Sequence, residues 1–288
     1  MTNQAGTLYI VGTPIGNLED ITLRAIKILQ TVDWIAAEDT RHTGKLLHHF
    51  EIKTPQLSYH EHNQQRRIPS LVESLNQGHT IALVTDAGMP GISDPGYELI
   101  KACIEANIPV IPIPGVSACL TALSAAGLPT DRFIFEGFLP TKNKERQQRL
   151  SILQTESRTL ILYEAPHRLL ETLEDLALIL GPKRSIVIAR ELTKLHEQFW
   201  RGTVEDAVQY YQDHNPKGEL TLVIAGVTET PTVITEDQLK AELKCLFEQG
   251  ISRSEASRQL AESTSVPRRQ IYQIALTLPD GTESNIEV

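Results

Sequence analysis

The apolar run Ile81-Ala82-Leu83-Val84 opens directly into VTDAGMPGISDPG (84–96), and the apolar spacing from Tyr97 to Ile104 beyond it suits a helix packed on a sheet. The run reads as a buried strand. Three glycines, two prolines and two aspartates at one strand-to-helix crossing combine rigid backbone, room for close approach and carboxylates. α/β proteins build small-molecule sites in this way at the carboxyl ends of their strands. A plain turn, in which Gly and Pro only punctuate, is the competing reading.

The same rhythm fills the first part of the chain. Leu8-Tyr9-Ile10-Val11 is a strand and GTPIGN (12–17) a glycine turn; a helix is expected next, with Asp20 as N-cap and Ile21, Leu23, Ile26 and Leu29 as its apolar positions. Trp34-Ile35-Ala36-Ala37 is a second strand ending in Glu38-Asp39-Thr40-Arg41-His42-Thr43, with a helix expected from Lys45 to about Phe50. Ser58-Tyr59-His60-Glu61-His62-Asn63 precedes a helix from about Arg66 to Gln77 that Gly78 closes. Beyond the central turn, Val110-Ile111-Pro112-Ile113 is a strand. PGVSACLTALSAAGLP (114–129) then feeds a helix whose small residues permit close approach to the sheet or to a ligand, and residues 133–138 read as a further strand. This alternation predicts an open, mostly parallel sheet with helices on both faces over residues 1–117. Strand, glycine loop, helix, strand and acid also outline a nucleotide-binding βαβ unit. The fit to the dinucleotide fingerprint is poor, because three residues separate Gly12 from Gly16, Pro14 lies between them and no third glycine enters the helix.

Composition shifts at Leu139-Pro140, after which Lys142, Lys144, Arg146 and Arg149 make the most basic local run of the chain. It is either a solvated helix start beside a domain boundary or a strip for phosphates. Strands at 159–163, 185–191, 199–203 and 218–226, with helices through Leu169–Leu180 and from Val204 to about Gln212, form a second α/β region. We therefore expect an N-terminal α/β domain at 1–117 and a second at 118–230, the boundary lying anywhere in 115–140, with a cleft between them. Residues 227–234 read as a linker, and 235–288 as purely helical: a helix over 236–249, a capping box at Ser252-Arg253-Ser254-Glu255, and a last helix after Pro267. Arg253, Arg258, Arg268 and Arg269 against Glu255 and Glu262 give this helix-turn-helix-like module a basic face. The alternative is a bundle that only packs.

A net charge of −9 argues against non-specific binding to polyanions, so any nucleic-acid contact must rest on a local patch. There is no apolar run of about 18 residues and no basic-then-apolar leader, so neither a membrane span nor a secretory signal is expected. Cys103, Cys119 and Cys245 lie far apart without metal-ligand spacing. They are expected to be buried thiols of a cytoplasmic protein that needs no metal.

Six stretches in order carry a family likeness: GTPIGNLEDITLRA (12–25), AEDTRHT (37–43), VTDAGMPGISDPG (84–96), PGVSA (114–118), YEAPHR (163–168) and GELTLVIAG (218–226). Together they resemble the tetrapyrrole-methylase superfamily, and within it the bacterial enzymes that methylate small-subunit ribosomal RNA. The resemblance spans nearly the whole chain. It implies S-adenosylmethionine as methyl donor, the ribose 2′-hydroxyl of a cytidine in the decoding region of 16S rRNA as acceptor, and a homodimer with the donor between two α/β domains. The donor-binding positions it implies are Pro14, Gly88, Met89, Pro90, Ile92, Ser117, Ala118, Tyr163, Glu164 and Ala189. Where the tetrapyrrole enzymes have Gly-Asp-Pro, this chain has Gly88-Met89-Pro90, with the acids at Asp86 and Asp94. Asp86 joins the donor candidates by location alone.

Methyl transfer from a sulfonium is an in-line displacement that needs alignment and a proton acceptor. The polar groups at strand ends suggest Arg41 or His60 for phosphate or ribose, and Asp39 or Glu61 for the hydroxyl proton. A local Asp39–Arg41 ion pair and a hydrogen-bonded core His60 are the structural alternatives. Lys142, Lys144, Arg146, Arg149, Arg253, Arg268 and Arg269 form the expected RNA-facing set. Rival functions are a small-metabolite or tetrapyrrole methylase, a non-catalytic RNA-binding protein and a nicotinamide dehydrogenase. Porphyrinoid methylation, binding without turnover and NAD titration separate these three.

Overall fold

The computed structural model describes residues 6–227, 235–264 and 266–278. β1 (Leu8–Val11), β2 (Trp34–Ala37), β3 (Gln56–Ser58), β4 (Ile81–Val84) and β5 (Val110–Ile113) form one sheet in the order β3-β2-β4-β1-β5. Every pairing in it is parallel. The connecting helices are α1 (Leu23–Thr31), α2 (Thr40–His49), α3 (Gln64–Asn76) and α4 (Tyr97–Glu105). Successive strand side chains point to opposite faces. Ile81 and Leu83 therefore enter a core with Leu71, Leu75 and Leu99, while Ala82 and Val84 enter another with Ala25, Leu29 and Leu47. Both faces being covered, β4 has no polar position. Because all five strands run the same way, the loops that follow them open at one edge.

α5 (Ala118–Ala126) leads to a second sheet of β6 (Phe133–Phe138), β7 (Thr159–Glu164), β8 (Ser185–Arg190), β9 (Gln198–Thr203) and β10 (Leu220–Ile224). Its order is β6-β7-β10-β8-β9, with only β6 and β7 parallel. The small residues Cys119, Ala122 and Ala126 let α5 lie close on Ile161, Val187, Ala189 and Val223. On the other face, Leu160, Leu162, Ile186 and Ile188 meet α6 (Asn143–Leu153), α7 (Leu169–Ile179) and α8 (Val204–Asp213).

The structure corrects several expectations. α1 is capped by Thr22, whose hydroxyl accepts the Ala25 N–H at 3.0 Å, and not by Asp20; the extended backbone of Ile21 and Thr22 keeps the helix from starting earlier. α2 begins at Thr40 rather than Lys45, because the Asp39 carboxylate accepts the Arg41 N–H at 2.8 Å and supplies the cap. β3 has no counterpart among the expected strands; it is a short edge strand with half-buried Gln, Leu and Ser. Cys245 is exposed, unlike the buried Cys103 and Cys119.

The largest correction concerns the basic run. Arg146 does not face solvent: its side chain is 0% exposed, its Nε donates to Asp175 and its Nη2 to Glu171, each at 2.6 Å. An arginine so enclosed is a strut between α6 and α7 and is removed from the RNA-facing set. Arg149 reaches back to Glu136 with two bonds, and Lys142 pairs with Glu145.

The two sheets lie in one compact unit that ends at Val227, and the helical region forms a second. In the latter, α9 (Glu236–Glu248), α10 (Arg253–Ser263) and α11 (Arg268–Leu276) close around Leu239, Leu243, Phe247, Ala256, Leu260 and Ile271. The reciprocal capping box is Thr235 with Gln238. At Ser252 only half of the expected box forms, since the Glu255 carboxylate turns to Arg258. Residues 228–234 of the expected linker, and those after Leu278, lie outside the described residues.

Candidate functional site

Three loops at the carboxyl edge of the parallel sheet are pressed together mainly through their backbones. Thr13 and Gly88 exchange both backbone hydrogen bonds, at 2.9 and 3.0 Å, and the Thr13 hydroxyl donates to the Thr85 carbonyl at 3.0 Å. A side chain at Gly12 would put its Cβ 2.6 Å from Met89 Sδ and 2.7 Å from the Gly115 Cα; Gly115 is bounded by Gly12 in return. Gly12 and Gly115 thus serve loop-to-loop contact, whereas a Cβ at Gly16 would meet the Lys194 side chain and the Leu192 carbonyl. The second loop also needs left-handed backbone at Gly88 and Gly91, and holds Ser93 there too, at φ 62°.

The mixed sheet supplies the facing wall. Tyr163, at the end of β7, accepts the Cys119 N–H at 3.1 Å through its phenol oxygen and so fixes the start of α5. Phe135 and Phe138 pack edge-on against its ring, at 4.9 and 5.6 Å between centroids. β6 bulges between Phe135 and Gly137, where Gly137 is left-handed and a Cβ would lie 2.8 Å from the Ser93 hydroxyl. That bulge lets the two walls touch.

Between them lies a cavity of about 240 Å³. Ile15, Met89, Ile92 and Phe138 make it largely apolar, Ser117 and Ala118 bring the amino end of α5 to it, and Asp94 and Glu219 add carboxylates. Such a lining fits S-adenosylmethionine: apolar and aromatic walls for a purine, carboxylates for a sulfonium, and a helix start for an acidic group. Of the expected donor residues, Gly88, Met89, Ile92, Ser117, Ala118, Tyr163 and Glu164 line it. Glu164 is already satisfied, with one oxygen accepting from the Ala165 N–H and the other from the Thr172 hydroxyl. Pro14 and Asp86 line a neighbouring cavity with His42 and Lys45. Pro90 is buried in its loop, and Ala189 sits in the core beneath α5.

A third, more polar cavity of about 540 Å³ is lined by Glu38, His60, Glu61, His62 and Tyr97, and shares Ser93 and Asp94 with the first. His60 is held by Asn63, which accepts its backbone N–H at 2.9 Å and bonds its Nε2 at 3.1 Å. Asp39 and Arg41 form the local pair that the sequence left as the alternative, with guanidinium-to-carboxylate distances of 2.6 and 3.0 Å. The Arg41 side chain and the α2 amides hold the Asp39 carboxyl far below its usual range. Burial pushes Asp94 the other way, up to about 7, with Glu38 and Asp86 adding repulsion. Glu38 is raised by burial as well.

Phe138, Ser93, Glu219 and Thr221 line the first cavity and were not chosen from the sequence. Their signals were present: Ser93 and Asp94 stand in SDPG, and Glu219 with Thr221 in GELTLVIAG.

Residues 7–208 match the family of tetrapyrrole (corrin/porphyrin) methylases. The ribosomal RNA small subunit methyltransferase I of Synechocystis sp. is 62% identical over 274 residues, covering 95% of this chain and 98% of that protein. Its namesake from Escherichia coli O157:H7 is 46% identical over 276 residues, covering 95% and 96%. Among solved structures, uroporphyrin-III C-methyltransferase from Thermus thermophilus in complex with S-adenosyl homocysteine superposes with a TM-score of 0.55 at 19% identity, over 76% of this chain and 97% of that one. A cobalt precorrin-4 methyltransferase gives 0.57 at 17%, over 76% and 94%. These two share the fold. From its sequence match and its two-sheet architecture, the chain belongs to the tetrapyrrole (corrin/porphyrin) methylase family, in the branch whose curated members are called ribosomal RNA small subunit methyltransferase I.

Proposed function

We propose that this protein is an S-adenosylmethionine-dependent methyltransferase that modifies the ribose 2′-hydroxyl of a cytidine in 16S rRNA, acting in the cytoplasm on the small ribosomal subunit as a homodimer. The observation that carries this reading is the pair of cavities meeting at Ser93 and Asp94, one apolar with a helix start at its wall, the other polar. Bound in the first, S-adenosylmethionine supplies a methyl group activated on a positively charged sulfur. Met89, Ile92, Phe138 and Tyr163 exclude water around it, and Ser117 and Ala118 orient its polar end. In the second, His60 and Glu61 hold the target nucleotide, and Arg41, whose side chain is 89% exposed, reaches its phosphate.

RNA engagement rests on local charge, given the net −9 of the chain. Lys142, Lys144 and Arg149 are exposed on and beside α6. In the helical unit Arg268 and Arg269 line an open hollow with Ser254 and Tyr272, suited to a phosphate, while Arg253 donates to the Leu278 carbonyl at 2.7 Å and shapes that unit.

The test is to map methyl groups on 16S rRNA from cells lacking the protein, and to restore them by adding protein and donor to the isolated small subunits. Loss and restoration of one ribose methyl on a cytidine is the expected result. A methyl on a base, or none on RNA, sinks the proposal. Light scattering of the purified protein tests the dimer.

A further inference from the structure

Resting on the reading above, in which the polar cavity takes the acceptor nucleotide, we propose that the cavity beside α2, with Pro14, Leu18, His42, Thr43, Lys45 and Leu46 in its wall, is a second nucleotide pocket. It takes the base that flanks the acceptor in the RNA strand.

Position is the first support. The cavity holds about 260 Å³ and backs onto the donor site through two shared loops. Pro14 and Asp86 line it, while Ile15 and Ala87, the next residue of each loop, line the donor cavity. The same wall reaches the acceptor side, because the Asp86 N–H donates to the Glu38 carboxylate at 3.3 Å and Glu38 lines the polar cavity. A strand that presents one ribose to the donor thus finds a hollow for its neighbour on the far side of these loops. Pro14, expected at the donor from the sequence, is a wall of that hollow instead.

The chemistry of the lining is that of a nucleotide site. Pro14, Leu18 and Leu46 offer apolar surface to a ring. Thr43 is only 2% exposed, yet its hydroxyl has no hydrogen-bond partner. A buried hydroxyl left unpaired costs stability, and one in a cavity wall is accounted for by a ligand that pairs with it. The edge of a base carries both donors and acceptors for that purpose. α2 supplies the charge. Arg41, His42 and Lys45 are exposed while Thr43, Leu46 and Leu47 turn inward, so Lys45 stands one turn from Arg41 on the same face. Arg41 serves the phosphate of the acceptor; Lys45, which has no ion pair among the described residues, is placed for the next phosphate along. Asp86 accepts the Asp39 N–H at 3.2 Å and repels an anion, which leaves its side of the pocket to an uncharged ring. Proteins that read RNA by sequence take hold of unstacked bases in this way.

The experiment uses the full chain and small subunits from cells lacking the protein, with methyl transfer followed at several subunit and salt concentrations. Thr43→Val keeps the shape and removes the hydroxyl. It should unfold no more easily than the wild type, bind S-adenosylmethionine as tightly, and raise KM for subunits about fivefold to tenfold while kcat stays within about twofold. Thr43→Ser, which keeps the hydroxyl, should keep the wild-type KM. Lys45→Ala should raise KM as well and lower the salt slope of subunit binding by about one; Lys53→Ala, exposed beyond the end of the same helix, should do neither. Subunits reconstituted with an abasic residue beside the acceptor then identify the occupant. At one of the two flanking positions the missing base should raise the wild-type KM and add nothing to that of Thr43→Val. Wild-type KM in both Thr43→Val and Lys45→Ala, or equal losses by wild type and Thr43→Val at each abasic position, overturns the pocket and leaves the donor and acceptor sites standing. If the wild type transfers no methyl group to intact subunits, the underlying reading is refuted and this inference with it.

Discussion

The two sheets contribute to the site by different means. The parallel sheet gives backbone: Gly12 and Gly115 bring two loops to a distance at which no side chain fits, and Gly88, in left-handed backbone at φ +79°, ties the third to them. The mixed sheet gives side chains, with Tyr163 bonded to α5, Phe138 on its edge, Glu164 locked by Thr172 and the whole braced from behind by Arg146. A backbone wall fixes where a ligand goes and tolerates little change. A side-chain wall can be retuned one residue at a time, which is how one fold can serve acceptors of different chemistry.

The sharpest way to break this contrast is at Arg146. Replacing it by alanine leaves Asp175, whose side chain is 8% exposed, without its charged partner and with only the Gln147 amide as side-chain donor. A buried charge left alone typically costs about 3–5 kcal/mol, and denaturant unfolding should show a loss of that size. Lys144→Ala, on the same helix but exposed, should leave stability unchanged and weaken only subunit binding. If the two variants unfold alike, the brace is not there.

Next in size is the backbone wall. Gly115→Ala would place a methyl 2.7 Å from the Gly12 Cα, and overpacking of this kind costs about 1–3 kcal/mol. Donor affinity should fall by more than tenfold as the loops part. Gly127→Ala is the control: φ is +76° and nothing lies within 4 Å, so about 1 kcal/mol of backbone strain is expected with no loss of donor affinity. Equal loss of affinity in the two would mean that the loops do not owe their positions to close contact.

The same contrast explains what the sequence disclosed. Strands such as Ile81–Val84 are legible because both faces are apolar, and the loops after them because glycine and proline are written into the chain. What a side chain touches across the fold is not written locally. Arg146 sits among lysines and looks solvated, yet its partners are 25 and 29 residues away on α7. Asp39 caps α2 and holds the Arg41 guanidinium, two contacts that the string of polar letters does not disclose. Asp94 was visible in SDPG, but its standing between two cavities depends on Gly137 and the bulge in β6, which no spacing rule reveals.

A pH experiment compares the walls more gently. Burial raises Asp94 to about 7 from an ordinary 3.8, so ionising it works against folding. Below pH 4 the group is neutral in both states and contributes nothing. Between about 4 and 7 the unfolded chain loses the proton more readily, and stability drains away as pH rises, levelling off above 7. Asp94→Asn escapes this drain. It should match the wild type near pH 4 and exceed it by about 1–2 kcal/mol at pH 8. An equal difference at both pH values would show that Asp94 is not held in its neutral form by the fold.

The smallest effect should come from the side-chain wall. Tyr163→Phe keeps the ring and its edge contacts with Phe135 and Phe138 but removes the oxygen that accepts the Cys119 N–H. One such hydrogen bond is worth about 1 kcal/mol net. Because Cys119 lies in the first turn of α5, its N–H is then left to water entering the cavity or to the ligand itself. We expect a stability loss of about 1 kcal/mol and a fall in donor affinity of about threefold to tenfold, from a helix start less firmly held. Tyr163→Leu, which also removes the ring, should lose clearly more affinity than Tyr163→Phe. Equal losses would assign the whole contribution of Tyr163 to its phenol oxygen and none to the aromatic wall.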